Sequence, residues 1–275
     1  LQKTCNYKQP FIFQLQPIYN KFFENVTVPE LMKHKNIDVK LKDNLEYFKE
    51  SESIDSLIIP LVSCYKIIET DSKAHYYTEH NEDFINETIY SDFRELDKYL
   101  KPSYAVQTKY DVMFGSKNCY TPIRYHTNYR NFLCVTKGKI SVKMTPYKSV
   151  KYLHCVNDYE NYEFRSEMNA WEPQEDLLEE YNKLKFVEFE MIEGNALYIP
   201  SYWWYSIRFD SVDTCVASIT YNTTMNIVSN SHHLFLYYLQ QLNIQKKILK
   251  VKHKPEDIVE NQEQNDEKTS ENEEK

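Results

Sequence analysis

Glycine is almost missing from this chain: three residues in 275. All three fall where short apolar runs end, at Gly115 in MFGSKN, Gly138 in TKGKI and Gly194 in IEGNA. A sequence this sparing with glycine is expected to keep it where a positive φ or a tight turn leaves no alternative. No run of 18 or more apolar residues occurs, so nothing here reads as a membrane span. No C-x-x-C pair exists among the six cysteines (Cys5, Cys64, Cys119, Cys134, Cys155, Cys215). Their scatter reads as reduced, mostly buried thiols of an intracellular protein, cytoplasmic or nuclear. A basic patch, an RNP-like stretch and a phosphate loop are all absent, which leaves direct nucleic-acid binding without support. The chain does not begin with methionine and reads as an excised or processed piece, which leaves an upstream anchor open.

What is present is a globular composition. Hydrophobic residues make up 41% and aromatics 15%, enough for a sizeable core. The formal charge of -8 is concentrated at one end: residues 255–275 carry nine acids against Lys268 and Lys275, so the body is near neutral. That stretch reads as an acidic, disordered tail. The 24 tyrosines, with many lysines and asparagines, fit an AT-rich genome of viral or protist type. Three N-x-[ST] sequons, at Asn25, Asn86 and Asn222, are about what such a chain gives by chance.

Residues 1–105 mix apolar runs (10–15 and 57–64) with helical-looking stretches (28–34 and 93–100), an α+β lead-in. Over residues 106–228 the pattern becomes short strands between turns: VMF, NFLCV, KISVKM, KFVEFEMI, NALYIP and CVASITYN. Evenly spaced short strands of this kind predict an all-β sandwich or barrel. Residues 229–254 read as a C-terminal helix ended by Pro255, with His232 and His233 at its start as capping or surface residues. Phe235, Leu239, Leu242 and Leu249 lie near one face, but its aromatic and leucine residues together fall on more than one side, which predicts that part of the helix packs on the barrel and part on a second copy, a homodimer.

The segment VMFGSKNCYTPIRYHTNYRNFLCVTKGKISVKMTPY, followed by EGNALYIPSYWWYSI and CVASITYNTT, resembles the JmjC/cupin-like family of Fe(II)- and 2-oxoglutarate-dependent oxygenases. It is most similar to the branch containing the asparaginyl hydroxylase of hypoxia-inducible factor, and the likeness runs over roughly residues 8–228. The resemblance implies a mainly β fold, a double-stranded β-helix of the jelly-roll type, with the α lead-in before it and the helix after it.

It also implies a 2-His-1-carboxylate iron site, and here the chain departs from the family. Arg124 stands at the first histidine's place, His126 at the aspartate's and Tyr205 at the second histidine's. A guanidinium has no lone pair to give a metal and repels one. Ile140 takes the place of the basic residue that anchors 2-oxoglutarate. Strand alternation turns Ile140, Val142 and Met144 inward and Lys139, Ser141 and Lys143 outward. Thr121, Asn131, Trp204 and Asn222 correspond to lining residues of the family's pocket, although Trp203 and Trp204 read most simply as packing beside its mouth.

Two readings follow. One is a non-catalytic module, with no cofactor, that binds a protein or a small anionic ligand. The other is an active oxygenase acting on a protein side chain through an unconventional metal site, needing Fe(II) and 2-oxoglutarate. His154 and Cys155, in an apparent loop insert, are candidates to join His126 in such a relocated site. Arg124 and His126 are expected to face Tyr205 from one strand. The guanidinium should then fill the former metal volume, held by the Tyr205 hydroxyl or pocket amides and, secondarily, by an acid.

Overall fold

The computed structural model describes residues 1–45 and 56–252, the last six by backbone alone, so the acidic stretch from Pro255 lies outside the described residues. The lead-in contributes β1 (Phe11–Gln14), β2 (Asp38–Asp43), β3 (Leu57–Pro60) and β4 (Tyr76–Thr78). The body contributes β5 (Ala105–Gly115), β6 (Arg124–Tyr125), β7 (Arg130–Lys137), β8 (Lys139–Thr145), β9 (Cys155–Asp158) and β10 (Glu163–Ser166). It ends with β11 (Val187–Ile192), β12 (Asn195–Ile199), β13 (Trp204–Phe209) and β14 (Cys215–Thr223).

Two antiparallel sheets result. The larger runs β1-β12-β7-β14-β5-β4-β2-β3 and the smaller β11-β8-β13-β6-β10-β9. The chain alternates between the two sheets from β5 to β8 and again from β11 to β14, while β8 to β11 all lie in the smaller one, an arrangement of the jelly-roll type. All six strands expected from the sequence are found. The lead-in, instead of standing beside the roll, completes it: β1 extends one edge of the large sheet and β4, β2 and β3 the other.

Alternation then sorts the side chains into three apolar clusters. Leu197 and Ile199 of β12 face Val142, Met144 and Ile207 of the small sheet, forming the interior of the roll. Ala196 and Tyr198, one step out of phase, pack with Phe22, Phe93 and other lead-in residues against the outer face of the large sheet. Trp204 and Tyr125 pack on Phe164, Leu153 and Met168 outside the small sheet. Strands covered on both faces show continuous rather than alternating hydrophobicity, as NFLCV and NALYI do.

Gly138 (φ 75°) and Gly194 (φ 90°) sit at positive φ as expected. Gly115 does not; what it provides is room. A Cβ there would meet the Phe209 ring at 2.8 Å and the Tyr77 Cβ at 3.0 Å. Other positive-φ positions are filled by residues such as His80, His154 and Tyr202, so scarce glycine does not mean scarce left-handed backbone.

The chain divides into two compact units at Asn230/Ser231. The first closes with a short helix, Thr224–Ser229, capped by the Thr223 hydroxyl accepting from the Asn226 N–H. The second holds the expected long helix, Ser231–Lys252. Among the described residues no helix is long and apolar enough to cross a membrane. All six cysteines are free, and all but Cys155 are buried.

Candidate functional site

The site begins with a two-residue strand. β6 pairs with β13 so that Arg124 lies directly opposite Tyr205. Parity turns Arg124, His126 and Tyr205 to the interior, while Tyr125 and Trp204 point to the outer cluster, their rings 4.8 Å apart and edge to face. The Arg124 guanidinium carbon lies 6.0 Å from the Tyr205 ring centroid. The His126 ring lies 6.1 Å from it on another approach, tilted by 70°. The three former ligand positions therefore do converge.

Arg124 is buried, and its charge is answered by Glu79, a residue immediately after β4. One guanidinium N–H donates to Glu79 Oε1 at 2.7 Å and a second bonds Oε2, a bidentate pair. The expected order is thus reversed: the acid is the principal partner, and the Tyr205 hydroxyl is a lesser one. Glu79 Oε1 also accepts from Lys42 Nζ of β2 at 2.9 Å, and Lys42 Nζ donates to Glu163 Oε1 of β10 at 2.8 Å. Half-exposed His80 brings Nδ1 to 3.5 Å from the same Glu163 oxygen.

Two cations and two anions balance inside the protein; the Arg124–Glu79 and Lys42–Glu163 pairs link the large sheet to the small one, and Lys42–Glu79 joins neighbours within the large sheet. Burial alone would raise the Glu79 pKa. The Arg124 and Lys42 cations outweigh it and hold the carboxylate well below its usual range. Burial works against the Arg124 charge too, but the Glu79 carboxylate more than offsets it. Lys42 and Glu163 are shifted in the same charge-favouring sense, against burial, by each other.

Both His126 ring nitrogens are buried and neither makes a well-formed hydrogen bond, although backbone groups of Ile199 and Asn128 lie close enough to favour the protonated ring slightly. Burial, with Arg124 nearby, pushes its pKa down to about 3, so the ring is neutral. Burial also raises the Tyr205 pKa, partly offset by Arg124, which keeps the phenol protonated.

The other expected lining residues divide. Ile140 is fully buried in the interior cluster with Tyr205, and Val142 and Met144 join it there. Asn131 is buried on β7 and accepts from the Ser218 hydroxyl at 3.3 Å. Thr121 serves the backbone: its hydroxyl accepts from the Ile207 N–H at 3.1 Å and its own N–H donates to the Ile207 carbonyl at 2.8 Å. Asn222 is turned to the loop after His126, accepting from the Tyr129 N–H and donating to Asn128 Oδ1. Trp204 is on the wrong face to line the interior; it belongs to the outer cluster, its indole N–H unpaired.

Arg124, His126 and Tyr205 do not make a donor set for a divalent ion. One is a fixed cation in an ion pair and one a protonated phenol, a weak donor, which leaves the imidazole as the single good donor. Among the described residues, the one group of three metal-ligating side chains within reach of a shared ion is Glu79, His80 and Glu163. Lys42 and Arg124 already occupy those carboxylates. His154 and Cys155 form no such group with His126. Nor is their segment a loop insert: Cys155 opens β9, and the β9–β10 hairpin carries Glu163 into the network. His232 and His233 lie against one another at the start of the long helix, 3.9 Å between ring centroids and tilted by 41°.

Lys42, Glu79 and Glu163 were not singled out in the sequence. Their contacts join residues 37, 45 and 121 positions apart, so no spacing announces them. The only signal was indirect: a cation placed in a barrel interior requires an acid from somewhere.

A family model described as the cupin-like domain matches residues 18–232. The chain belongs to this cupin-like family. No curated protein matches it.

Proposed function

We propose that this member of the cupin-like family is a non-catalytic relative of the JmjC-type 2-oxoglutarate oxygenases that serves as a binding or scaffold module. The observation that supports this most directly is the buried Arg124–Glu79 pair at the place the resemblance gives to the first metal ligand. An ion pair satisfied on both sides has no vacancy for a cation, and Ile140 offers no charge to a dicarboxylate. Kinship with the asparaginyl hydroxylase branch is part of the same proposal and rests on TPIRYH and YIPSYWWYSI. Of the two ligand classes expected, a protein partner is favoured over a small anion, because the Arg124 charge an anion would seek is already neutralised.

The test is metal analysis of the purified chain after Fe(II) loading, with 2-oxoglutarate titrated in parallel. The expected result is no stoichiometric iron and no saturable 2-oxoglutarate binding. One Fe(II) per chain with turnover of 2-oxoglutarate to succinate, both lost in His126→Ala, would overturn the proposal.

The second reading, an oxygenase with an unconventional metal site acting on a protein side chain, draws its support from the proximity of Glu79, His80 and Glu163. Iron uptake that survives His126→Ala but is lost in Glu163→Gln would favour it.

A further inference from the structure

Arg130 opens β7 and is buried, yet its charge is answered differently from those of Lys42 and Arg124. Those two meet carboxylates. The Arg130 guanidinium donates instead to the Gln2 side-chain carbonyl and, at 3.5 Å, to the Gln2 backbone carbonyl, both of them neutral. A second cation stands beside it. Lys8 Nζ lies 4.6 Å and the Arg130 guanidinium carbon 5.3 Å from the centroid of the same Tyr129 ring. Neither cation forms an ion pair with any of the described residues.

The local fold gathers these groups. Arg130 shares parity with Phe132 and Cys134, which places it on the outer face of the large sheet, away from the interior site. The short helix Gln2–Cys5 supplies its two acceptors, and the turn after that helix ends at Lys8, held at φ 54° with its N–H bonded to the Cys5 carbonyl. A non-glycine residue is uncommon in this left-handed region; here it brings the lysine back to Tyr129. The Lys8 pKa is lowered, first by partial burial and then by Arg130, with only the Cys5 thiol acting the other way. Two like charges drawn to one ring, one of them buried, cost stability unless an anion answers them. The tyrosine face attracts both but carries no net charge.

We infer that Arg130, Lys8 and Tyr129 form a binding site for the dianionic phosphate of a phosphomonoester. Two cations without an acid match a group that carries about −1.5 to −2 charge at neutral pH. Arg130 offers paired N–H donors and Lys8 a movable point charge, the usual division of work between these side chains at a phosphate. Gln2 takes only part of the guanidinium's donor set, which leaves N–H groups for a further acceptor. Gln2 and Lys8 are exposed, so the approach is open to solvent. The inference goes beyond the binding-module reading and stands whether or not the interior site takes a metal, because the two sites lie on opposite faces of β7 and share no residue.

The experiment is phosphorus NMR of inorganic phosphate titrated with the full chain, repeated with a short peptide carrying one phosphoserine, and with acetate as a competitor at matched ionic strength. Saturable phosphate binding is expected, strengthening as the pH rises through the second phosphate ionisation, about 6 for a phosphomonoester. Lys8→Gln should weaken it about tenfold, the scale of one hydrogen bond to a charged group. Arg130→Gln should weaken it further. Circular dichroism separates lost binding from lost folding there, and the exposed Lys8 keeps the test decisive if the Arg130→Gln chain unfolds. Tighter binding of the peptide than of inorganic phosphate identifies a phosphorylated protein as the source, and equal or weaker binding a small phosphate. The inference is overturned by absence of saturable phosphate binding or by an affinity unchanged in Lys8→Gln. It is equally overturned if acetate displaces phosphate at equal concentration, since the site would then not distinguish a dianion.

Discussion

Arg124 on the small sheet and Glu79, just beyond β4 of the large sheet, meet through two N–H···O bonds, one of 2.7 Å, inside the end of the roll. Arg124 stands at the place that the resemblance gives to the first metal ligand, and in this structure it is held in a salt link. Lys42 and Glu163 extend it into a four-charge chain that ties the two sheets together.

Removing Glu79 therefore leaves two buried cations with one acid between them. Glu79→Gln is expected to lower unfolding stability by about 3–5 kcal/mol, the usual cost of breaking a buried pair from one side. Urea denaturation measures it, and a loss below about 1 kcal/mol, the range of surface pairs, would show that the network is effectively solvated.

The same network sets an acid limit. The folded pKa values of Glu79 and Glu163 lie below their ordinary value, so the stabilisation is complete above the unfolded carboxylate pKa, about 4.3. It is lost as the pH falls from there through the folded values. Stability followed by denaturant midpoints should drop steeply below about pH 4.3 in the native chain. The drop should be shallower in Glu163→Gln, which starts from a lower plateau.

Rebuilding a metal site will take more than the three ligands. Arg124→His, His126→Asp and Tyr205→His, with Ile140→Lys for the cosubstrate, should still bind Fe(II) poorly while Lys42 remains beside Glu79 and the released carboxylate competes for the metal. Adding Glu79→Gln and Lys42→Met should raise iron uptake in metal analysis. Full uptake by the four-residue variant alone would mean that the network does not oppose the metal.

Gly115→Ala should destabilise by about 1–3 kcal/mol, the range for overpacking a filled core. The new methyl would be forced against the Phe209 ring and the Tyr77 Cβ, with φ playing no part. Pairing it with Phe209→Leu should recover some of the loss, which a purely backbone effect would not allow.

The long helix carries Phe235, Tyr238 and Leu242 exposed. A homodimer through this helix is expected in light scattering, and truncation after Asn230 should give a monomer. A native chain that stays monomeric at high concentration would remove the dimer.

Much of the fold was legible because it is local. Runs such as CVASITYN and NALYIP have the length and β-branched or aromatic content of strands, and Gly138 and Gly194 mark turns that need positive φ. Two-residue spacing was enough to turn Arg124 and His126 to one face, and their register against Tyr205 agrees. The same parity argument would have moved Trp204 to the outside, since it directly precedes the inward Tyr205; motif likeness to a pocket obscured it.

The sequence by itself determined the strand inventory, the inward face of β6 and the chemical misfit of Arg124 with a metal, because each depends on residue type and on periods of two. Only the tertiary structure decided what satisfies that cation. Glu79, Lys42 and Glu163 come from separate strands and turns, and a charge–charge contact across 45 or 121 residues leaves no periodic trace. Whether a buried charge is tolerable depends on the distance to its counter-charge, and that distance exists only once the two sheets have closed on each other.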